Sequence, residues 1–211
     1  MIENNVNLEL MSFIEQQILP KYNAFGSSHG LAHVQGVIKR SLYLARKIGV
    51  DINMVYTIAA YHDLGMLGPR AIHHITGGKI LAADARLKRW FSSEQIRIMR
   101  EAVEDHRASS AHSPRSMYGK IVAEANRNLQ PDHVFKRAIE TGLENYPQIT
   151  KQELWQRFQQ HIKEKYSNTG YIKLWIPNSP NHQYLKEIRL IIEDQDELRR
   201  MFEKFYKKAK S

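Results

Sequence analysis

The stretch Asp51-Ile-Asn-Met-Val-Tyr-Thr-Ile-Ala-Ala-Tyr-His-Asp-Leu-Gly65 sets Met54, Val55, Ile58, Ala59 and His62 three or four residues apart, the spacing of one helix face. Asp51 is a helix-capping residue, and Gly65 to Pro69 supply the breakers that end the run. His62 and Asp63 therefore fall at a helix C-terminus, on the side that faces a core.

Outward from this helix, apolar residues recur three or four apart over nearly the whole chain, with hardly any of the alternation that a half-buried strand needs. The expected fold class is all-α. Toward the N-terminus, Leu10, Phe13, Ile14 and Ile18 line a helix over 7–19 that Pro20 closes. A second helix, capped by Ser28 and stopped by Gly49, carries Val34, Val37, Ile38, Ser41, Leu42, Ala45 and Ile48 on one stripe, with His29 and His33 at its start. Toward the C-terminus, helices are expected over 72–90, 94–106 behind the Ser92-x-x-Gln95 capping signal, 115–128, and 132–144 after Pro131-Asp132. Thr150-x-x-Glu153 opens another near 150–166, and Ser179-Pro180 opens a last one running through Ile188, Ile191, Leu198, Phe202 and Phe205. Only Tyr171-Ile-Lys-Leu-Trp-Ile176 has strand character, and 107–114 is the clearest loop. With no internal repeat and no Gly/Ser linker, residues 1–130 are expected to form a helical core and 131–211 a C-terminal helical extension packed on it.

The 211 residues, 42% hydrophobic and 25% charged, are enough for a substantial core. There is no cysteine, which removes disulfides, thiolate ligands and thiol nucleophiles, so any metal must rest on His, Asp, Glu or Asn. The net charge of +9 is spread along the chain rather than carried by a tail, and suits an anionic partner as well as a merely solvated surface. Arg199 to Lys210 is locally dense in charge but interleaved with Met201, Phe202, Phe205 and Tyr206, the pattern of a packed helix with a wet face, so nucleic acid is not the favoured partner. The N-terminus lacks the charged-then-apolar pattern of a secretory signal, and no apolar run approaches the ~20 residues that span a bilayer. A cytoplasmic location and no membrane partner are the expectation.

Seven of the ten histidines, at 29, 33, 62, 73, 74, 106 and 112, fall within 84 residues, where even spacing would place about four. His33, His62, His73 and His106 each lie at or near the end of a different expected helix, and helical bundles build metal sites from inward-facing residues on several helices.

These histidines belong to ordered segments: His29-Gly-Leu-Ala-His33-Val, Ala59-Ala-Tyr-His-Asp-Leu-Gly65, His73-His-Ile-Thr-Gly-Gly-Lys-Ile-Leu81, Val103-Glu-Asp-His-Arg107 and Lys120-Ile-Val-Ala-Glu-Ala-Asn-Arg127. Over roughly residues 25–130 the series resembles the HD superfamily of metal-dependent phosphohydrolases. The later part, with Gly170-Tyr-Ile-Lys-Leu-Trp175, is similar to a bacterial branch of it. The resemblance implies a first metal on His33, His62 and Asp63, closed by a family aspartate at a position where this chain has Asn126. It implies a second metal on His73 and His106, with His74 replacing His73 if the register slips by one; the adjacent Gly77-Gly78 favours His73.

Asn126 is neutral and a weaker ligand than a carboxylate. Three outcomes stay open: a site completed by a nearby anion such as Asp105, a site working mainly through the His73/His106 ion, or a weakened one. The implied cofactor is one or two divalent ions, Mn, Fe, Co, Ni, Zn or Mg, with Asp63 and His62 as the catalytic pair. The implied reaction is attack of metal-activated water on a phosphate ester or phosphoanhydride of a nucleotide or small phosphorylated metabolite. His29 and the basic residues near the motif segments, Arg107, Arg115, Lys120 and Arg127, are the candidates for holding substrate phosphate. Two further readings remain: a non-catalytic nucleotide or nucleic-acid binding module with a decayed metal site, and a diiron oxygenase, an activity that a few members of the same superfamily have.

Overall fold

The computed structural model describes residues 5–26, 29–107 and 112–210. Among them are ten α-helices and no strand, so the chain is all-α. It divides into two compact units, Met1–Asn126 and Arg127–Ser211. No helix of the described residues is long and apolar enough to cross a membrane.

The first unit contains α1 (Leu8–Gln17), α2 (Leu31–Ile48), α3 (Ile52–Tyr61), α4 (His73–Ala83), α5 (Ser93–Glu104) and α6 (Met117–Asn126). Helix α3 is its axis. Asp51 caps it by accepting from the amides of Asn53 and Met54, and almost every residue from Ile52 to Tyr61 is buried. A helix apolar on all sides has to be surrounded, and α1, α2, α4, α5 and α6 all pack against it. Each fully covered Val55 or Ile58 side chain is worth roughly 1.5–3 kcal/mol relative to exposure. The C-terminal end of α3 is thereby delivered into the middle of the unit.

Around it, α2 buries Val34, Val37, Ile38, Ser41, Leu44 and Ala45 and ends at Gly49, whose φ of 80° is the left-handed conformation that glycine adopts without penalty. Ser28, expected to cap this helix, lies outside the described residues. The position before α2 is Gly30, which offers no side-chain cap. Helix α5 opens with a complete capping box between Ser92 and Gln95.

The helix expected over 72–90 is two pieces. Asp84 adopts an extended conformation and its carboxylate accepts from the Arg86 amide, ending α4 and starting a short 3-10 turn over Ala85–Arg89.

The second unit contains α7 (Pro131–Asn145), α8 (Lys151–Tyr166), α9 (Pro180–Glu193) and α10 (Gln195–Lys210) around Phe135, Phe158, Phe202, Leu154, Ile162, Ile188 and Leu198. Trp155 stacks on Phe158 and meets Phe202 edge-on, which makes these aromatics core material. The single last helix expected after Ser179 is broken at Asp194, whose side chain accepts from the amides of Asp196 and Glu197 and so caps a new helix. Residues 171–176 are not a strand. The amides of Tyr171 and Ile172 donate back to the carbonyls of Glu164 and Lys165 at the end of α8, while Ile172 and Ile176 are buried in the helical core. Gly170 is required at that reversal, because a Cβ there would stand 2.6 Å from the Lys165 carbonyl oxygen.

Candidate metal centre

Four helix ends meet in the first unit. His33 lies in the first turn of α2, His62 and Asp63 follow α3, His73 is the first residue of α4, and His106 follows α5. His62, Asp63 and His106 are at most 1% exposed, and His73 is also buried. Asp63 has φ −105° and ψ 5°, the sparsely populated bridge region that many active-site residues adopt. Its backbone is held by Tyr22, whose hydroxyl donates to the Ala60 carbonyl at 2.9 Å and accepts from the Asp63 amide at 3.3 Å.

The turn after Asp63 lies directly on α4. A Cβ on Gly65 would fall 1.8 Å from the His73 carbonyl oxygen, and one on Gly77 3.1 Å from the His62 carbonyl oxygen. Glycine at these two positions is what lets α4 approach closely enough to bring His73 to Asp63.

The two oxygens of Asp63 face different histidines. Oδ2 is 2.8 Å from His29 Nδ1, 3.4 Å from His33 Nε2 and 3.2 Å from His62 Nε2. Oδ1 is 3.6 Å from His73 Nε2 and 3.3 Å from His106 Nε2. Donor atoms of His29, His33 and Asp63, and separately of Asp63, His73 and His106, lie within 4.8 Å of one another, close enough for each group to hold a metal ion.

The tautomers follow from the outer partners. His62, His73 and His106 each present Nδ1 to the carbonyl three residues earlier, Ala59, Arg70 and Val103, at 2.7, 2.8 and 2.6 Å. A carbonyl only accepts, so each Nδ1 carries the proton and donates it; in the neutral ring Nε2 is then a bare lone pair. His73 Nε2 and His106 Nε2 nevertheless stand 3.2 Å apart, and both point at a carboxylate oxygen that accepts no hydrogen bond. Lone pairs set against one another in a buried site are relieved by a proton on one ring or by a metal ion between them. Backbone carbonyls that fix the outer nitrogen are the usual support of metal-ligating histidine. The donor set, imidazoles plus one carboxylate, suits transition ions.

The electrostatics of His33 and His73 agree with ligand duty. Burial lowers His33 to about 4, against the opposing pull of Asp63 and with help from His62 and His29. Burial likewise lowers His73 to about 4, opposed by the Arg70 carbonyl and aided by His106. Both rings are neutral at pH 7, the form that binds metal. Burial alone would lower His62 and raise Asp63, but their mutual attraction wins, so His62 is raised and Asp63 lies well below the ordinary carboxylate range.

The other sequence candidates are placed as follows. His29, expected at substrate phosphate, turns Nδ1 onto Asp63 Oδ2 instead. His74 is half-buried, its ring 5.6 Å from that of His73, and it is His73 that reaches Asp63. Asn126 closes α6, half-buried, and makes no hydrogen bond to the cluster among the described residues. Asp105 does not complete the site: its fully buried carboxylate is taken by the Arg115 guanidinium and amide. Arg115, also bound to Glu104, is correspondingly committed to those two acids rather than open to phosphate. Arg107 donates to the Ala71 carbonyl, Lys120 is half-buried on α6, and Arg127 is buried in the second unit with its carbonyl accepting from Asn181.

Tyr22, and Arg40, whose Nε donates to the Ala125 carbonyl at the end of α6, escaped the sequence reading. Tyr22 comes from a separate 3-10 turn and leaves no local signal. Arg40 falls on the same face of α2 as His33, seven residues on, and that spacing could have pointed to it.

A family model, the HD domain, matches residues 30–129, a span that takes in His33, His62, Asp63, His73, His106 and Asn126 and leaves His29 just outside. Comparison with curated proteins and with solved structures returns no match. Residues 30–129, just under half of the chain, thus match the HD domain, and His33, Asp63, His73 and His106, whose donor atoms converge, lie within that span.

Proposed function

We propose that the protein hydrolyses a phosphate ester or phosphoanhydride of a nucleotide or small phosphorylated metabolite, with one or two divalent ions held at Asp63. His33, His62 and Asp63 Oδ2 would hold one ion and Asp63 Oδ1, His73 and His106 the other. When bound, such an ion supplies Lewis acidity to a water and to the phosphoryl oxygens. Asp63 stays ionised because five imidazoles face it. The Ala59, Arg70 and Val103 carbonyls hold the Nδ1 protons and orient the rings, so that Nε2 is the nitrogen presented to an ion. His29 holds a proton against Asp63 Oδ2 at the more open edge of the cluster, where its side chain is 21% exposed.

The observation that carries the reading is the face-to-face pair of bare Nε2 atoms, His73 and His106, beside an unbonded carboxylate oxygen. The test is elemental analysis of the purified protein together with hydrolysis of a nucleotide and phosphoester panel in Mn²⁺, Fe²⁺, Co²⁺ or Mg²⁺. Asp63→Ala and the near-isosteric Asp63→Asn are expected to lose both bound ion and hydrolysis. A wild-type protein that takes up no divalent ion, or hydrolysis unchanged in Asp63→Ala, would remove the proposal.

A further inference from the structure

On α2, His33, Gly36 and Arg40 are spaced three and four apart and share one face. Long side chains in a helix run back toward its N-terminus, and Arg40 does so across Gly36: a Cβ at position 36 would stand 3.1 Å from Arg40 Nη1. The guanidinium is thus carried toward His33. Its Nε donates to the Ala125 carbonyl at 2.7 Å, which fixes the plane of the group beside the end of α6. No carboxylate pairs with it among the described residues, and the residue after Ala125 is the neutral Asn126.

Half-buried arginines usually face a carboxylate, because a desolvated guanidinium without an anion is costly. Here burial is strong enough to lower the Arg40 pKa, and the Nη1 and Nη2 amino groups have no acceptor among the described residues. The contrast with Arg115, tied to Asp105 and Glu104, is direct. A planar fork with one nitrogen anchored and two amino groups free is a two-pronged donor for a tetrahedral oxyanion.

We propose that Arg40 is the substrate-binding residue of the centre, its free amino groups taking two oxygens of the phosphoryl group presented to the Asp63 cluster. The assignment rests on the hydrolase reading for what the phosphoryl group is doing there. The slot at Gly36 is what admits the side chain, and the neutral position 126 leaves the fork uncompensated.

The experiment measures inorganic phosphate binding by equilibrium dialysis to wild type, Arg40→Gln and Arg40→Lys, each with Mn²⁺ and after removal of metal. Mn²⁺ stoichiometry and helical circular dichroism are recorded in parallel. Arg40→Gln is expected to bind phosphate about 10- to 100-fold more weakly in both states, while keeping wild-type Mn²⁺ stoichiometry and helicity. Arg40→Lys should recover part of the loss, since it keeps the charge but not the fork, and it provides the measurement if Arg40→Gln does not fold. Phosphate binding equal to wild type in either folded variant overturns the assignment, as does absence of phosphate binding by wild type. Failure of the hydrolase reading looks different: wild type would take up no Mn²⁺, yet the Arg40-dependent difference in phosphate binding would persist without metal.

Discussion

Replacing Gly65 by alanine adds one methyl group at the junction that joins Asp63 to α4. The ideal Cβ would lie 1.8 Å from the His73 carbonyl oxygen, 2.7 Å from the His73 carbonyl carbon and 2.6 Å from the Gly77 amide nitrogen. All three are backbone atoms of the first turn of α4, so no side chain can swing away to make room. Ordinary contact begins near 3.4 Å, which requires the turn and α4 to separate by about 1.6 Å. Metal ligands tolerate displacements of only about 0.2 Å from their bond lengths, so such a shift takes His73 out of reach of Asp63. The cost of overpacking is typically 1–3 kcal/mol, and overlap with backbone belongs at the top of that range, about 3 kcal/mol. For a chain of this length that lowers Tm by roughly 6–12 °C. Gly68→Ala, three residues on, meets nothing nearer than the Gly65 carbonyl oxygen at 3.7 Å and serves as the control. Thermal melts by circular dichroism and metal content by elemental analysis read both effects. The expected result is a destabilised but folded Gly65→Ala protein that has lost the ion associated with His73. A Gly65→Ala protein with wild-type Tm and metal content would show that the close approach of α4 does not govern the site.

Other perturbations separate structural from chemical roles. Arg115→Ala leaves the fully buried Asp105 with the backbone amide of residue 115 and His112 Nδ1 at 4.0 Å, and is expected to cost about 2 kcal/mol in urea unfolding while leaving metal content unchanged. Burial raises the Asp84 carboxyl, but hydrogen bonds from Arg86 and Tyr61 outweigh it and hold the group below its ordinary value of 3.8. A depressed folded-state value stabilises the protein above the unfolded value, and that contribution disappears as pH falls through the folded one. Asp84→Asn should therefore flatten the loss of stability as pH falls below about 4, and an identical slope in both proteins would contradict the argument. Asn126→Asp adds a carboxylate at the end of α6 and is expected to tighten Mn²⁺ binding in a titration; no change would place position 126 outside the ligand set.

How much of this was legible depended on whether the determining contact was local. The apolar run ending in His62-Asp63 and the capping boxes at Ser92 and Thr150 are written within a few residues and appear as read. The histidines at four helix ends were also visible as spacing. The breaks at Asp84 and Asp194 were written just as locally, since each aspartate caps the next helix, but continuous apolar periodicity across them masked the signal. The alternation in Tyr171 to Ile176 imitates a strand because Ile172 and Ile176 are both buried, although Ile172 joins a core built from helices. Proximity to the motif segments was a poor guide to which arginines lack an acid partner. Arg115 is claimed by acids ten and eleven residues earlier, whereas Arg40, remote from every motif segment but one, is brought in by the face of α2.

The composition of the cluster also bears on which ion it would select. Five imidazoles surround a single carboxylate, so the donors are mostly nitrogen and the fixed negative charge is only one. Magnesium favours oxygen ligands and gives up water reluctantly, so a site of this kind has little to offer it. Imidazole suits Fe, Co, Ni and Zn, with Mn the weakest of the series. A centre with two dications and one carboxylate would carry a large positive excess, which the neutral Asn126 does nothing to relieve and which Arg40 increases. That excess penalises neutral ligands and rewards a multiply charged oxyanion, because only such a group can bring the pocket back toward electroneutrality. On the proposed reading, a neutral residue at position 126 would therefore exchange affinity for the ion against attraction for a phosphorylated substrate, and tie the two in one charge balance.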